Sequence, residues 1–277
     1  MNKEKKLKKP IASFILLTNL IFFPLFCLVG AIKIFHLPTW LFVVVHCISS
    51  WASTFAFAIL FKKIYPGRSF IQFVKNKFKP KIKVSVLLSV STIQALIFLM
   101  IVLIVVSKGE VDSIFTLSSW GMLLYYFLKT LLSGPLGEEL GWRGFALMEL
   151  QKKHTPLKAS IIIGFWWGLW HLPIWFTTGF IGIDLIKYIL FFMISIMSTT
   201  ILMAAFYNLN QNLLIPITIH HNFNFFIGII NGQLSDLILY NAIFYGIAAV
   251  LIIIINPKKV LYGRNEKNFL GGKHTVI

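Results

Sequence analysis

Charge is scarce in this sequence, and negative charge is scarcest. Asp, Glu, Lys and Arg make up 13% of the 277 residues, about half the share of roughly 25% that soluble domains carry. Only nine residues are acidic. A surface wetted on all sides is excluded, and with it a soluble enzyme or a free DNA-binding domain. Cysteine is nearly absent as well. Cys27 and Cys47 both lie in apolar runs, which excludes a disulfide scaffold and leaves no metal-ligand spacing. The basic start MNKEKKLKKP is followed by an apolar stretch over about 11–32 with no A-x-A-type cleavage site. That stretch is too long for a signal-peptide core, so it is expected to be a retained first span.

What the chain has in abundance is hydrocarbon. It is 57% hydrophobic with a mean hydropathy of +0.81, and its apolar runs are long enough to cross a bilayer. About eight windows separate, at 11–32, 39–61, 84–106, 118–150, 159–177, 184–206, 213–231 and 237–255. The expected fold class is all-α, a polytopic membrane protein with about eight transmembrane helices. The fourth window is too long for one straight span, and Ser133-Gly134-Pro135 is expected to kink or break it.

Lys and Arg give the direction. The 26 basic residues include 21 in the amino terminus, the 62–83 loop, the 152–158 turn and the carboxy-terminal tail, all on one side of an eight-span chain. The positive-inside rule makes that side cytoplasmic, with both termini inside a cell membrane. Glu110, Asp112, Asp184 and Asp236 fall in or beside the opposite loops. A net charge of +17 thus reports topology, and no nucleic-acid partner is expected. The 62–83 segment reads equally well as an amphipathic helix on the inner leaflet or as a solvated basic loop.

Ionisable groups inside spans are costly, and by default they mark function. Span four holds Lys129, Glu138, Glu139, Arg143 and Glu149; span five holds His171; span seven holds His220, His221, Asn222 and Asn224. His46 lies in span two and Lys187 near the outer end of span six. At a rise of 1.5 Å per residue, Glu138 would lie about 20 Å from the basic side, His171 and Asn224 about 18 Å and His220 about 12 Å. Three sequence-distant helices therefore bring polar groups to a similar level.

Local geometry sorts these groups. Glu139 and Arg143 stand at i and i+4 with the acid first, the favoured order for a helical ion pair. Glu138 points about 100° away and has no such local partner, which suits a general base. The alternative is that both glutamates bind Arg143 and hold helices together. His171 sits among Trp166, Trp167 and Trp170, where a packed, hydrogen-bonded histidine is the plainer reading. His220 and Asn224 share one face and could donate to a developing oxyanion, or they could be interhelical polar glue. His221 faces elsewhere and competes with His220.

The run Gly134-Pro135-Leu136-Gly137-Glu138-Glu139-Leu140-Gly141-Trp142-Arg143-Gly144 resembles the EExxxR motif of the CPBP family of intramembrane proteases, the CAAX-protease and bacteriocin-processing family, also called the abortive-infection family. The family's FxxxH motif is matched by Trp167-Gly168-Leu169-Trp170-His171, with Trp167 where Phe is usual. Its HxxxN motif is matched by His220-His221-Asn222-Phe223-Asn224. The resemblance covers roughly 118–230, and the first three spans look generic. It implies a protease-like core over 118–231, preceded by transmembrane helices with a basic cytoplasmic loop over 1–117 and followed by a last span and basic tail over 232–277.

The resemblance also implies roles. Glu138 would activate a water for attack on a peptide carbonyl, assisted by His171, while His220 and Asn224 would stabilise the oxyanion. Glu139, Arg143 and Trp167 would support them. Glu138, His171 and His220 could ligate zinc, but there is no HExxH pair and the family's glutamate-dependent mechanism needs no metal, so no cofactor is expected. The leading expectation is an intramembrane endopeptidase acting on a peptide or lipid-anchored protein in the lipid bilayer. The alternatives are a non-catalytic bacteriocin immunity or scaffold protein and a small-solute transporter.

Overall fold

A computed structural model describes residues 7–109, 113–117 and 119–263. Among the basic residues counted above, Lys3, Lys5, Lys6, Arg264, Lys267 and Lys273 lie outside the described residues, as do Glu110 and Asp112. The chain is all-α and polytopic. Its helices are α1 (Pro10–Ile34), α2 (Thr39–Ser50), α3 (Ala52–Ile64), α4 (Phe70–Phe78), α5 (Val84–Lys108), α6 (Trp120–Leu132), α7 (Pro135–Glu139), α8 (Met148–Leu150), α9 (Pro156–Trp170), α10 (Leu172–Trp175), α11 (Gly182–Asn210), α12 (Leu214–Ile229) and α13 (Leu234–Ile255). Between α7 and α8, Leu140–Leu147 winds as a π-helix.

Four of these, α1, α5, α11 and α13, are long and apolar enough to cross a membrane, and α2 with α3, bent by 44°, forms a fifth candidate. The other expected spans are built from shorter pieces. The fourth window is broken where the sequence foresaw, because α6 stops at Leu132 and α7 starts with Pro135, whose missing N–H costs nothing at a helix start. The fifth ends at His171, and the seventh is a helix of 16 residues. Eight apolar windows therefore do not correspond to eight unbroken long helices.

The basic segments gather at one end of the molecule. Leu7 N donates to Lys63 O (3.0 Å), Leu213 N to Lys77 O (2.9 Å) and Leu157 N to Leu261 O (3.0 Å). Asn212 Nδ2 holds Phe78 O and Pro80 O, and Tyr65 Oη donates to Glu149, which also pairs with Lys152. The opposite end is tied by Asn231 N to Ile114 O (2.8 Å) and by an ion pair between Lys108 and Asp236. Within the 62–83 segment, α4 is an amphipathic helix capped by Ser69, whose Oγ accepts from Gln72 N. Its Phe70 and Phe73 rings pack on Phe57 and Phe61 of α3 at centroid distances of 5.2–5.9 Å, while Ile71 stays exposed.

At the centre, α11 packs against α13 on one side and α9 on the other, with α12 alongside. A run from Thr199 to Tyr207 on α11 is almost wholly buried. The π-helix lies against α3 and α9. Gly141 makes this contact feasible: a Cβ there would fall 2.7 Å from the Ser53 carbonyl, so the two backbones approach as only a glycine permits.

Candidate active site

The α6–α7 break places the EExxxR motif at the start of a new helix, and α3 holds that start in position. Trp51, at the bend between α2 and α3, donates its indole N–H to Leu132 O at the end of α6 (2.9 Å) and covers Gly137, where a Cβ would collide with its ring. Ser53 Oγ donates to Glu138 O (3.0 Å). The second span reaches this break through Trp51 and Ser53. These two residues clamp the backbone that carries both glutamates.

Glu139 and Arg143 form the foreseen pair, Arg143 Nη1 to Glu139 Oε1 at 2.9 Å, with both side chains fully buried. The same Glu139 oxygen also accepts from His220 Nδ1 (2.7 Å), a contact 81 residues apart in sequence. Arg143 Nη2 donates to Thr200 Oγ1 on α11 (2.9 Å), and its Cζ stands 3.9 Å from the Trp167 ring centroid. A charge in hydrocarbon has to be met by polar partners of this kind.

Glu138 turns away from this pair, as its helical offset predicts. Its Oε2 accepts from Trp167 Nε1 at 2.7 Å. Its Oε1 faces Gly134: an ideal Cβ on Gly134 would lie 3.3 Å from Asn224 Nδ2, 3.7 Å from Glu138 Oε1 and 3.7 Å from His220 Nε2. Polar atoms of the first and third motifs therefore surround a single point, which stays open because residue 134 carries no side chain.

His171 follows α9 as its C-cap. Its Nδ1 lies 2.7 Å from the Trp167 carbonyl oxygen. A carbonyl only accepts, so Nδ1 carries the proton and Nε2 is left with a lone pair. Glu138, Trp167, His171, His220 and Asn224 all line one cavity of about 230 Å³. His221 does not. It packs edge-on against Phe127 at 4.3 Å and along Phe225, between α6 and α12.

The cavity has walls that motif reasoning missed. Phe22 and Phe26 of α1, His46, Ser49 and Ser50 of α2, and Ser133 complete it. His46 was visible in the sequence as an ionisable residue in an apolar run, but nothing local tied it to Glu138. Lys187, assigned no role from sequence, pairs with Asp184 at an exposed position.

A zinc ion would draw on Glu138, His171 and His220. Glu138 Oε2, His171 Nδ1 and His220 Nδ1 are each engaged by protein partners. Among the described residues no three His, Cys, Asp or Glu side chains come together closely enough to hold one ion.

Comparison with known proteins agrees with the motifs. The family model described as type II CAAX prenyl endopeptidase Rce1-like matches residues 93–226, a stretch that includes all three motifs. CAAX prenyl protease 2 of Methanococcus maripaludis is 46% identical over 52 residues. That alignment spans 19% of this chain and 19% of that protein. Together the two matches support a CPBP-family protease.

Proposed function

We propose that this chain, with the core that those matches support, is an intramembrane endopeptidase that hydrolyses a peptide bond of a membrane-associated substrate through a glutamate-activated water. The observation that carries the reading is the meeting of Glu138 Oε1, His220 Nε2 and Asn224 Nδ2 around the open face of Gly134. A general base and two oxyanion donors within reach of one point are what acyl transfer to water requires.

The steps follow from the atoms. Glu138 takes a proton from a water as the water oxygen bonds to the substrate carbonyl carbon, and the lone pair on His171 Nε2 accepts from the same water to orient it. The carbonyl oxygen becomes an oxyanion beside Asn224 Nδ2, which donates to it, and His220 Nε2, which donates when the ring carries its second proton. Glu139, bonded to His220 Nδ1, fixes the orientation of that ring. The C–N bond then breaks and the departing nitrogen takes a proton back from Glu138. No step calls on a metal.

The basic end of the molecule is assigned to the cytoplasmic side, with both termini there. The cavity is lined by residues of α1, α2, α7, α9, α11 and α12, and the substrate this reading assigns is a peptide or lipid-anchored protein whose cleaved segment enters the membrane. The name of the Methanococcus relative, a CAAX prenyl protease, favours a prenylated carboxy-terminal segment over a free peptide.

The experiment is cleavage of fluorogenic peptides, prenylated and plain, by purified protein in detergent. Wild type is compared with Glu138→Gln, each with and without chelator. The expected result is cleavage by wild type, unchanged by chelator, and a loss of at least about a thousandfold in Glu138→Gln. Cleavage that survives Glu138→Gln sinks the mechanism, and cleavage abolished by chelator points to a metal enzyme. Absence of cleavage by wild type across the panel, with an immunity phenotype intact in Glu138→Gln, would favour the non-catalytic scaffold role. Ion-dependent flux in place of cleavage would favour a transporter.

A further inference from the structure

We infer that Trp167 is a positioning residue that distinguishes the two oxygens of the Glu138 carboxylate. The inference rests on the reading of Glu138 as the base. A carboxylate has two chemically equivalent oxygens on a broad, two-fold rotor, so a base aimed at one point needs something to hold the other oxygen. Trp167 does so. Its side chain is fully buried, and its indole N–H donates to Oε2 at 2.7 Å, leaving Oε1 toward Gly134, His220 and Asn224.

The indole is itself fixed from other sides. The Arg143 guanidinium lies 3.9 Å over its ring, and the His220 ring meets it edge-on at 4.9 Å and 80°. Its backbone carbonyl holds His171 Nδ1. A cation on the ring face draws electron density from the indole and strengthens its N–H as a donor. One residue thereby touches a member of each motif and joins the Arg143–Glu139–His220 group to Glu138. The Phe usual at this position in the resembling family fills similar space but has no N–H to give, so this function belongs to the tryptophan.

Trp167→Phe removes the donor and keeps an aromatic ring. It should lower kcat by about tenfold or more, as expected for a lost hydrogen bond to a charged group, while leaving KM unchanged. A purely structural role would instead lower thermal stability or the active fraction, with no kcat deficit per folded molecule. The second readout needs no activity. With tryptophan labelled at the indole nitrogen, the protein gives signals from eight indoles, and the one absent from Trp167→Phe is Trp167. In Glu138→Gln that proton signal should move upfield and exchange faster, because the charged acceptor is gone.

An unmoved Trp167 signal in Glu138→Gln, or wild-type kcat in Trp167→Phe, overturns the inference while cleavage lost in Glu138→Gln still upholds the reading beneath it. Cleavage that survives Glu138→Gln overturns that reading, and the inference with it. Should Trp167→Phe fail to fold, Trp167→Tyr supplies the assignment, and a Trp167 signal that stays in place between wild type and Glu138→Gln still overturns the inference.

Discussion

The long outer helices and the short inner ones solve the membrane problem in opposite ways. In α1, α5 and α13, 28–33% of the most apolar window is buried against protein, and large side chains such as Leu16, Leu103 and Ile254 stay more than half exposed. An unbroken helix satisfies its own backbone, so lipid can cover the rest. The α6–α7 break, the π-helix and the end of α9 cannot manage this alone. Their freed carbonyls are taken by Trp51, Ser53 and His171, and their charged groups are enclosed by one another. Irregular backbone at membrane depth is tolerated where protein surrounds it, and it is there that the ionisable residues sit.

If the comparison holds, removing one partner from the enclosed region should cost far more than trimming the lipid-facing one. The largest effect is expected from Arg143→Met, which removes the arginine from the buried Glu139 and leaves it held by His220 alone. Such a break typically destabilises by about 3–5 kcal/mol, and the thermal midpoint in detergent should fall accordingly. A melting curve like wild type would mean that the pair is not needed for the fold.

Gly137→Ala comes next. The new methyl would meet the Trp51 ring, and relieving such a clash costs about 1–3 kcal/mol. Thermal unfolding measures it, and an unchanged midpoint would show that the Trp51 clamp yields easily. Gly134→Ala should act differently, since its methyl would stand 3.3 Å from Asn224 Nδ2 and 3.7 Å from Glu138 and His220. It should reduce kcat/KM about tenfold, equivalent to about 1.4 kcal/mol, with little change in melting. Smallest is Leu103→Ala on α5, 53% exposed, where a shift within about 0.5 kcal/mol is expected. A larger shift would mean that this face is covered by something other than lipid.

Much of the site was legible in the sequence because its clues are local. An i, i+4 spacing puts Glu139 beside Arg143 and His220 on the same face as Asn224, whatever surrounds the helices. The Ser133-Gly134-Pro135 break is equally local, since proline cannot continue a helix from within. The number of long helices was less legible. Hydropathy reports apolar length and is blind to the stops at Leu132 and His171, where tertiary partners replace the lost helical bonds. The choice between His220 and His221 rested on spacing alone; packing then placed His220 in the cavity and His221 against Phe127.

The sequence by itself determined that this chain is a helical membrane protein, and it placed its basic segments together and a carboxylate, two histidines and an asparagine in three motifs on apolar stretches. Each of these follows from composition, from the positive-inside rule or from the 3.6-residue period. Only the tertiary structure decided that Glu139 is shared by Arg143 and His220, that Trp167 is a hydrogen-bond donor to Glu138 as well as a packed ring, and that α1 to α3 wall and clamp the site. The hydrogen bonds from Trp167, His220, Trp51 and Ser53 join residues 29 to 85 positions apart, and their register is set by which small residues let the helices meet.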